Sequence, residues 1–211
     1  MFRNVNKVIR TMVFVDFFYN SAFGSFAPVF AVFITSQIQG GSIEVVGFSI
    51  AVYWVVKSIF QLPIARFLDK TDGERDDFLA MFLGYFLSSF VPIAFIFVKT
   101  PAELYLVQGI HGFLMAWAVP SWYGIFTRHV DKWRISLEWS LQSVFSVGLS
   151  TALAAALGGL IIERFGFKYI FLAAGVISIL CSFLILRLKN EMLPRRREEI
   201  VLPERHRENG I

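Results

Sequence analysis

Five stretches of this chain are bounded by charged residues yet almost free of charge inside: Glu44 to Arg66, Asp77 to Lys99, Glu103 to Arg128, Glu138 to Glu163 and Lys168 to Arg187. A sixth run, from Thr11 to about Ser36, is interrupted only by Asp16. Each is close to the roughly 20 residues that cross about 30 Å of hydrocarbon as a helix. In lipid a backbone must satisfy its own hydrogen bonds, which leaves helices or closed barrels. Barrel strands are shorter and alternate polar with apolar residues, and these runs do not. The pattern therefore predicts an all-α integral membrane protein with transmembrane helices over about 11–36, 44–67, 78–98, 101–127, 137–162 and 169–188. They fill a domain over residues 1–190, and a charged tail follows over 191–211. Composition agrees: 56% of the residues are hydrophobic, 24 are Phe, and 17% are charged, against about 25% charged in soluble domains.

The net charge of +4 does not imply nucleic acid, because the cations lie where membrane topology puts them. With a cytoplasmic N-terminus, six crossings place 16 of the 20 Lys and Arg on the inner side. They fall in the N-terminal segment, in the loops after the second and fourth helices, and in the tail. Only Lys99, Arg164 and Lys168 fall outside, which is the positive-inside bias. The expected location is the cytoplasmic (inner) membrane, multi-pass, with both termini cytoplasmic. The basic start followed by a long apolar run reads as a signal anchor that is retained. One cysteine, Cys181, excludes disulfide pairing and thiolate clusters within the chain, and it reads as inert packing.

Helix grammar marks the ends. Thr100-Pro101-Ala102-Glu103 combines an N-cap, a proline at the first helical position and an acid at the third. Gly40-Gly41-Ser42 breaks the chain and supplies Ser42 as the next cap. Polar residues inside the runs recur every three or four positions, which places them on one helix face. Asp16, Asn20 and Gly24 form such a seam, as do Ser49, Tyr53, Lys57 and Gln61 in the second helix. Gln108, His111, Gly112 and Met115 follow in the fourth, and Glu138, Gln142, Ser146 and Ser150 in the fifth. The third and sixth helices show no comparable seam. The first, second, fourth and fifth are thus expected to surround a polar cavity, with the third and sixth facing lipid. Ser150, Ala154 and Gly158 repeat a small residue every four positions, which allows close helix packing.

The segment Ala65-Arg66-Phe67-Leu68-Asp69-Lys70-Thr71-Asp72-Gly73-Glu74-Arg75 resembles the G-x-L-a-D-r-x-G-r motif of the major facilitator superfamily of secondary transporters. Asp69 and Lys70 match it, Ala65 replaces the first Gly, and one extra residue precedes Gly73. Gly158 to Phe171 is similar to that family's passage from the fifth to the sixth helix, and Gln108-Gly109 to the end of another of its motifs. The antiporter pattern G-x-x-x-G-P-x-x-G-G is met only at Gly158-Gly159. The resemblance implies two inverted three-helix repeats, equivalent to one half of the family's twelve-helix fold. It also implies a small-molecule substrate in a lipid bilayer and a second half. A homodimer is the economical arrangement, since six crossings return the chain to its starting side. The others are a separate chain supplying the second half, or a chain that is part of a longer transporter. Asp69, Lys70 and Arg75 would form a cytoplasmic latch between halves, or serve as topology charges.

An ionised side chain near a helix centre costs at least about 2.5 to 3.5 kcal/mol in a membrane, so Asp16 and Lys57 are expected to be compensated. They could pair with each other for assembly alone. Alternatively they line the cavity, Asp16 carrying a proton and Lys57 holding an anionic group. His111, Asn20, Gln61 and Gln142 complete the expected substrate or proton site, or else join helices. Trp117, Trp122, Tyr123, Trp133 and Trp139 read as packing and interface anchors.

Nucleotide, dinucleotide, zincin and serine-hydrolase motifs are missing from the sequence, and so are channel filters such as T-V-G-Y-G. No enzyme activity, catalytic residue, cofactor, metal or nucleic-acid partner is expected. The reading is a secondary transporter of a small polar or charged solute working by alternating access between two six-helix subunits. The alternative is a non-transporting accessory or scaffold protein that pairs with another permease half. The topology is checked by single cysteines placed at Asp131 and Lys99 in a Cys181→Ser background. An impermeant thiol reagent added to intact cells should label position 99 and spare position 131; the reverse pattern would invert the assignment.

Overall fold

The computed structural model describes residues 5–70 and 73–192. Of the expected tail, all beyond Met192 lies outside these residues, as do Thr71 and Asp72 of the motif loop. Every regular element among them is helical. In chain order these are α1 (Lys7–Gly24), α2 (Phe30–Gln37), α3 (Ile43–Leu68), α4 (Arg75–Ser88), α5 (Val91–Phe95), α6 (Pro101–His129), α7 (Ile135–Leu141), α8 (Ser150–Phe165) and α9 (Phe167–Ile185). Five helical segments are long and apolar enough to cross a membrane: Lys7–Gln37, Ile43–Leu68, Arg75–Phe95, Ile135–Phe165 and Phe167–Glu191. The remaining long helix, α6, has 29 residues and carries Gln108, His111 and Pro120 along it.

Caps and breaks follow local chemistry. Thr100 Oγ1 accepts from the Glu103 amide at 3.4 Å, and Glu103 Oε2 accepts from the Thr100 amide at 3.2 Å, closing a capping box at the start of α6. Ser42 Oγ accepts from the Val45 amide at 3.2 Å to start α3. The first crossing segment is not one unbroken helix. It divides after Gly24 into a 3-10 turn at Ala27–Val29, where Pro28 has no amide to donate, and then α2. Pro92 divides α4 from α5 in the same way. Between α7 and α8 the chain runs through a π-helix, Gln142–Leu149. Gly166 (φ 83°) makes the tight turn into α9, a conformation that side-chain-bearing residues disfavour.

The helices pack as two groups. One has α6 at its centre, with α3 and α4 against it; the other has α1 at its centre, with the π-helix, α8 and α9 against it. The groups join where α4 and α5 meet α9. An apolar cluster with Ile9, Met12, Phe126 and Ile185 fills one end of the bundle. A second, with Phe26, Phe33, Phe95 and Phe171, fills the other. Its rings meet edge to face, Phe33 to Phe171 at 4.9 Å and Phe26 to Phe171 at 5.1 Å between centroids.

Close backbone approach holds each group. A Cβ on Gly112 of α6 would lie 2.5 Å from the Tyr53 carbonyl oxygen of α3, and one on Gly158 of α8 would fall on the Ser25 carbonyl just after α1. Ser150, Ala154 and Gly158 are the buried residues of α8, so the small-residue stripe is the packing face.

Within the single chain, half of the most apolar stretch of Arg75–Phe95 is buried, and 44% of that of Phe167–Glu191, against 11% in Ile43–Leu68 and 22% in Ile135–Phe165. The faces of α3 and α8 are therefore the least covered by the rest of the chain. Gly158→Leu should force α8 off α1 at a cost of about 1–3 kcal/mol. A melting temperature lowered by several degrees in nanodiscs is the expected result, whereas Gly159→Leu, where no atom lies within 4 Å of the added Cβ, should melt like the parent.

Candidate functional site

Asp16 sits on the buried face of α1 and is 5% exposed. Tyr85 of α4 donates its hydroxyl to Asp16 Oδ1 at 2.9 Å, and Gln142, the first residue of the π-helix, donates Nε2 to Oδ2 at 2.6 Å. Each carboxylate oxygen thus has a neutral donor, and no cation lies within ion-pair distance among the described residues. Of the two alternatives for Asp16 and Lys57, the direct ion pair is not formed here. Lys57 projects from α3, half buried, with Nζ 4.7 Å above the Trp54 ring and 5.9 Å from that of Tyr53. An aromatic face four or fewer residues away compensates the ammonium more readily than a carboxylate on the far group of helices.

The π-helix is fastened to α1 at three levels. Besides the Gln142–Asp16 bond, Ser146 Oγ donates to the Val13 carbonyl at 2.9 Å, and Asn20 Nδ2 donates to the Ser146 carbonyl at 3.0 Å. Its wider turn lets Gln142, Ser146 and Ser150 all stay buried against α1, as their four-residue spacing predicts. One turn along α1 from Asp16, Tyr19 shares a 2.7 Å hydrogen bond with Ser88, and its ring meets that of Tyr85 edge to face at 4.6 Å.

Two cavities meet at Asn20. The smaller, about 170 Å³, is walled by Asp16, Tyr85, Trp122, Tyr123 and Gln142 among others. The larger, about 380 Å³, is lined by Tyr53, Trp54, Gln108, His111 and several phenylalanines. His111 stacks on Phe23 with centroids 5.1 Å apart and meets the Tyr53 ring at 4.8 Å, tilted by 44°. Of the predicted site residues, Asp16, Asn20 and Gln142 therefore gather at the smaller cavity, with His111 reached from Asn20 through the larger one. Lys57 and Gln61 line neither and lie half buried on α3.

Sequence reasoning missed Tyr19, Tyr85, Ser88 and Trp122. Tyr19 lies three residues after Asp16 and Ser88 three after Tyr85, a spacing that a search for seams could use if it treated these tyrosines as it treated Tyr53. Trp122, taken as an anchor, presents its indole to the smaller cavity while stacking on Phe126 at 4.7 Å.

At the end of the bundle where α4 begins and α6 finishes, the charges that pair are not the expected latch. Asp69, Lys70 and Arg75 are exposed and make no ion pair among the described residues. Instead Arg128 donates Nε to Glu74 at 2.8 Å and Nη2 to Asp77. Glu74 and Asp77 are 1% and 5% exposed, and His129 Nδ1 lies 3.5 Å from Glu74. Removing the guanidinium would leave two buried carboxylates without their shared partner, which costs far more than losing an exposed pair. Arg128→Gln should lower the melting temperature by several degrees; Lys7→Gln, which breaks the exposed pair with Glu191, should change it by about a degree or less. Equal effects would show that the cluster is not structural.

Among curated proteins no relative matches this chain. The profile of the Major Facilitator Superfamily matches residues 12–208, nearly the whole length of the chain. The motif loop after α3, the polar interior on α1 and the helical bundle now have a common origin: the chain belongs to the Major Facilitator Superfamily, a family of membrane transporters.

Proposed function

We propose that this chain is a six-helix half of a secondary transporter, with α6 as a sixth crossing helix, moving a small polar or charged solute across the cytoplasmic membrane by alternating access. The observation that carries the reading is Asp16. A carboxylate compensated only by neutral donors, at the wall of a cavity inside a membrane bundle, is far costlier than packing requires and has its natural use in binding a solute or a proton.

The packing supports the inverted repeat. Exchange the first crossing segment with the fourth, the second with the fifth and the third with the sixth, and the contact pattern maps onto itself: two helices on α6 in one group, two on α1 in the other. Close glycine approaches occur at the corresponding helix pairs, on opposite members of each: Gly112 on α6 against α3, Gly158 on α8 against the end of α1.

The partly exposed faces of α3 and α8 support a second half. Trp54, Ile59 and Leu62 of α3 and Leu153, Leu157 and Leu160 of α8 are among their exposed apolar residues. Both helices border the larger cavity, through Tyr53 and Trp54 on one side and Thr151 on the other. A second copy placed against these faces covers the cavity and supplies another Asp16. Rocking of the two units about this centre would alternately open each side. Asp69, Lys70 and Arg75, exposed at one end, are then free to contact the partner as a latch.

Proteoliposomes holding the purified protein, exposed to an isotope-labelled mixture of small metabolites under proton and sodium gradients, test this. At least one solute should accumulate above protein-free vesicles, and Asp16→Asn should cut that uptake about tenfold or more, as expected for a lost charged hydrogen-bonding group. A lack of uptake under every gradient would favour the accessory role.

A further inference from the structure

Lys57 stands near the middle of α3 (Ile43–Leu68), about 16 Å from the nearer end at 1.5 Å per residue. No Asp or Glu lies within ion-pair distance of its ammonium among the described residues. Nζ rests 4.7 Å above the Trp54 ring and 5.9 Å from that of Tyr53. A ring quadrupole attracts a cation but carries no net charge, so a full positive charge is kept deep in the bundle. Packing gives no reason to hold it there, since an apolar side chain would fill the space without the cost of an ion in the membrane. Lipid headgroups lie at the helix ends and do not answer it.

Tyr53 and Trp54 also line the larger cavity, which places the ammonium at its border. The rest of that lining is mostly apolar, with Phe23, Phe26, Phe30 and Phe95 in it, and it includes no Asp or Glu. Asp16 lines the smaller cavity instead. An anion at this border meets an ammonium with no other counter-ion and no opposing carboxylate from the lining. A cation stacked on Tyr53 or Trp54 would share those rings with Lys57 and be repelled by it. A neutral solute would leave the charge unanswered. We infer that the solute is an organic anion, its acidic group held by Lys57 and its apolar or aromatic body among the rings of the larger cavity; this narrows the transport reading above and rests on it.

The arrangement also limits the shape of that solute. The residues beneath Nζ are residues of the cavity wall, so the acidic group joins the body directly or through a short link. Asn20, Gln108, His111 and Thr151 are the polar residues of the lining besides Tyr53 and Trp54, and they leave room for an uncharged polar substituent. A small anion without a body would leave the cavity of about 380 Å³ unfilled and forgo the burial of apolar surface there. The class is a carboxylate or sulfonate on an aromatic or similarly apolar group.

The test is a thermal-shift titration of the protein in nanodiscs with benzoate, benzenesulfonate and indole-3-acetate as aromatic anions. Benzamide is the neutral match, benzylamine the cationic one, and acetate the anion without a body. At least one aromatic anion should bind saturably and about tenfold or more tighter than each of these three, as expected for one charged hydrogen bond. Lys57→Met and Lys57→Gln should each weaken that binding about tenfold. Melting curves without probe report which variants fold, and the ranking of probes on the parent decides the matter even if neither does. The inference is overturned if no aromatic anion binds, if any of the three comparison probes binds as tightly, or if a folded variant binds like the parent. Binding in a nanodisc needs no flux. Its absence, beside uptake of another solute into proteoliposomes, would sink this inference alone, while binding without uptake would count against transport alone.

Discussion

The structure turns on how a carboxylate is kept inside hydrocarbon. Among the described residues Asp16 has no cation to pair with; it is held by the hydroxyl of Tyr85 and the amide of Gln142. Those donors come from α4 and from the π-helix, so the charge draws the two groups of helices together at one level of the bundle. The apolar clusters above and below that level then exclude lipid and solvent from it. Because neutral donors stabilise the charge without cancelling it, the site keeps a residual demand that a proton or a solute can meet.

Helix geometry serves the same end. The two glycine approaches bring backbones close enough for short side chains to bridge helices: Ser146 and Asn20 reach across to α1 and the π-helix because Gly158 and its neighbours let α8 lie against α1. At the far end of α6 the charges are treated differently. Arg128 is shared between Glu74 and Asp77, full ion pairs near the bundle end, where partial hydration of the guanidinium eases desolvation. The interior site thus stays available for a ligand while the end of the bundle is fastened.

Much of this could be read from the chain and some of it could not. Charge-free runs located five segments able to cross and the long helix α6, and four-residue spacing brought Asp16, Asn20 and Gln142 to one place, because helical periodicity is a local property. The Ser150–Ala154–Gly158 stripe was legible for the same reason. Lys57 meets the neighbouring Trp54 ring rather than Asp16, a choice that depends on side-chain direction rather than depth. Tyr85 and Trp122 were overlooked because an aromatic residue in a membrane helix resembles packing until its hydroxyl is seen to reach a buried carboxylate or its residue to line a cavity. The π-helix leaves no periodic mark of its own.

The central claim is that this bundle is half of a working unit, with Asp16 and its cavities completed by a second six-helix body against α3 and α8. The most direct measurement is a count of six-helix units in particles extracted straight from the membrane into native nanodiscs, by mass photometry or subunit photobleaching. The account predicts two units per particle, persisting on dilution. A population containing a single unit at every concentration would contradict it.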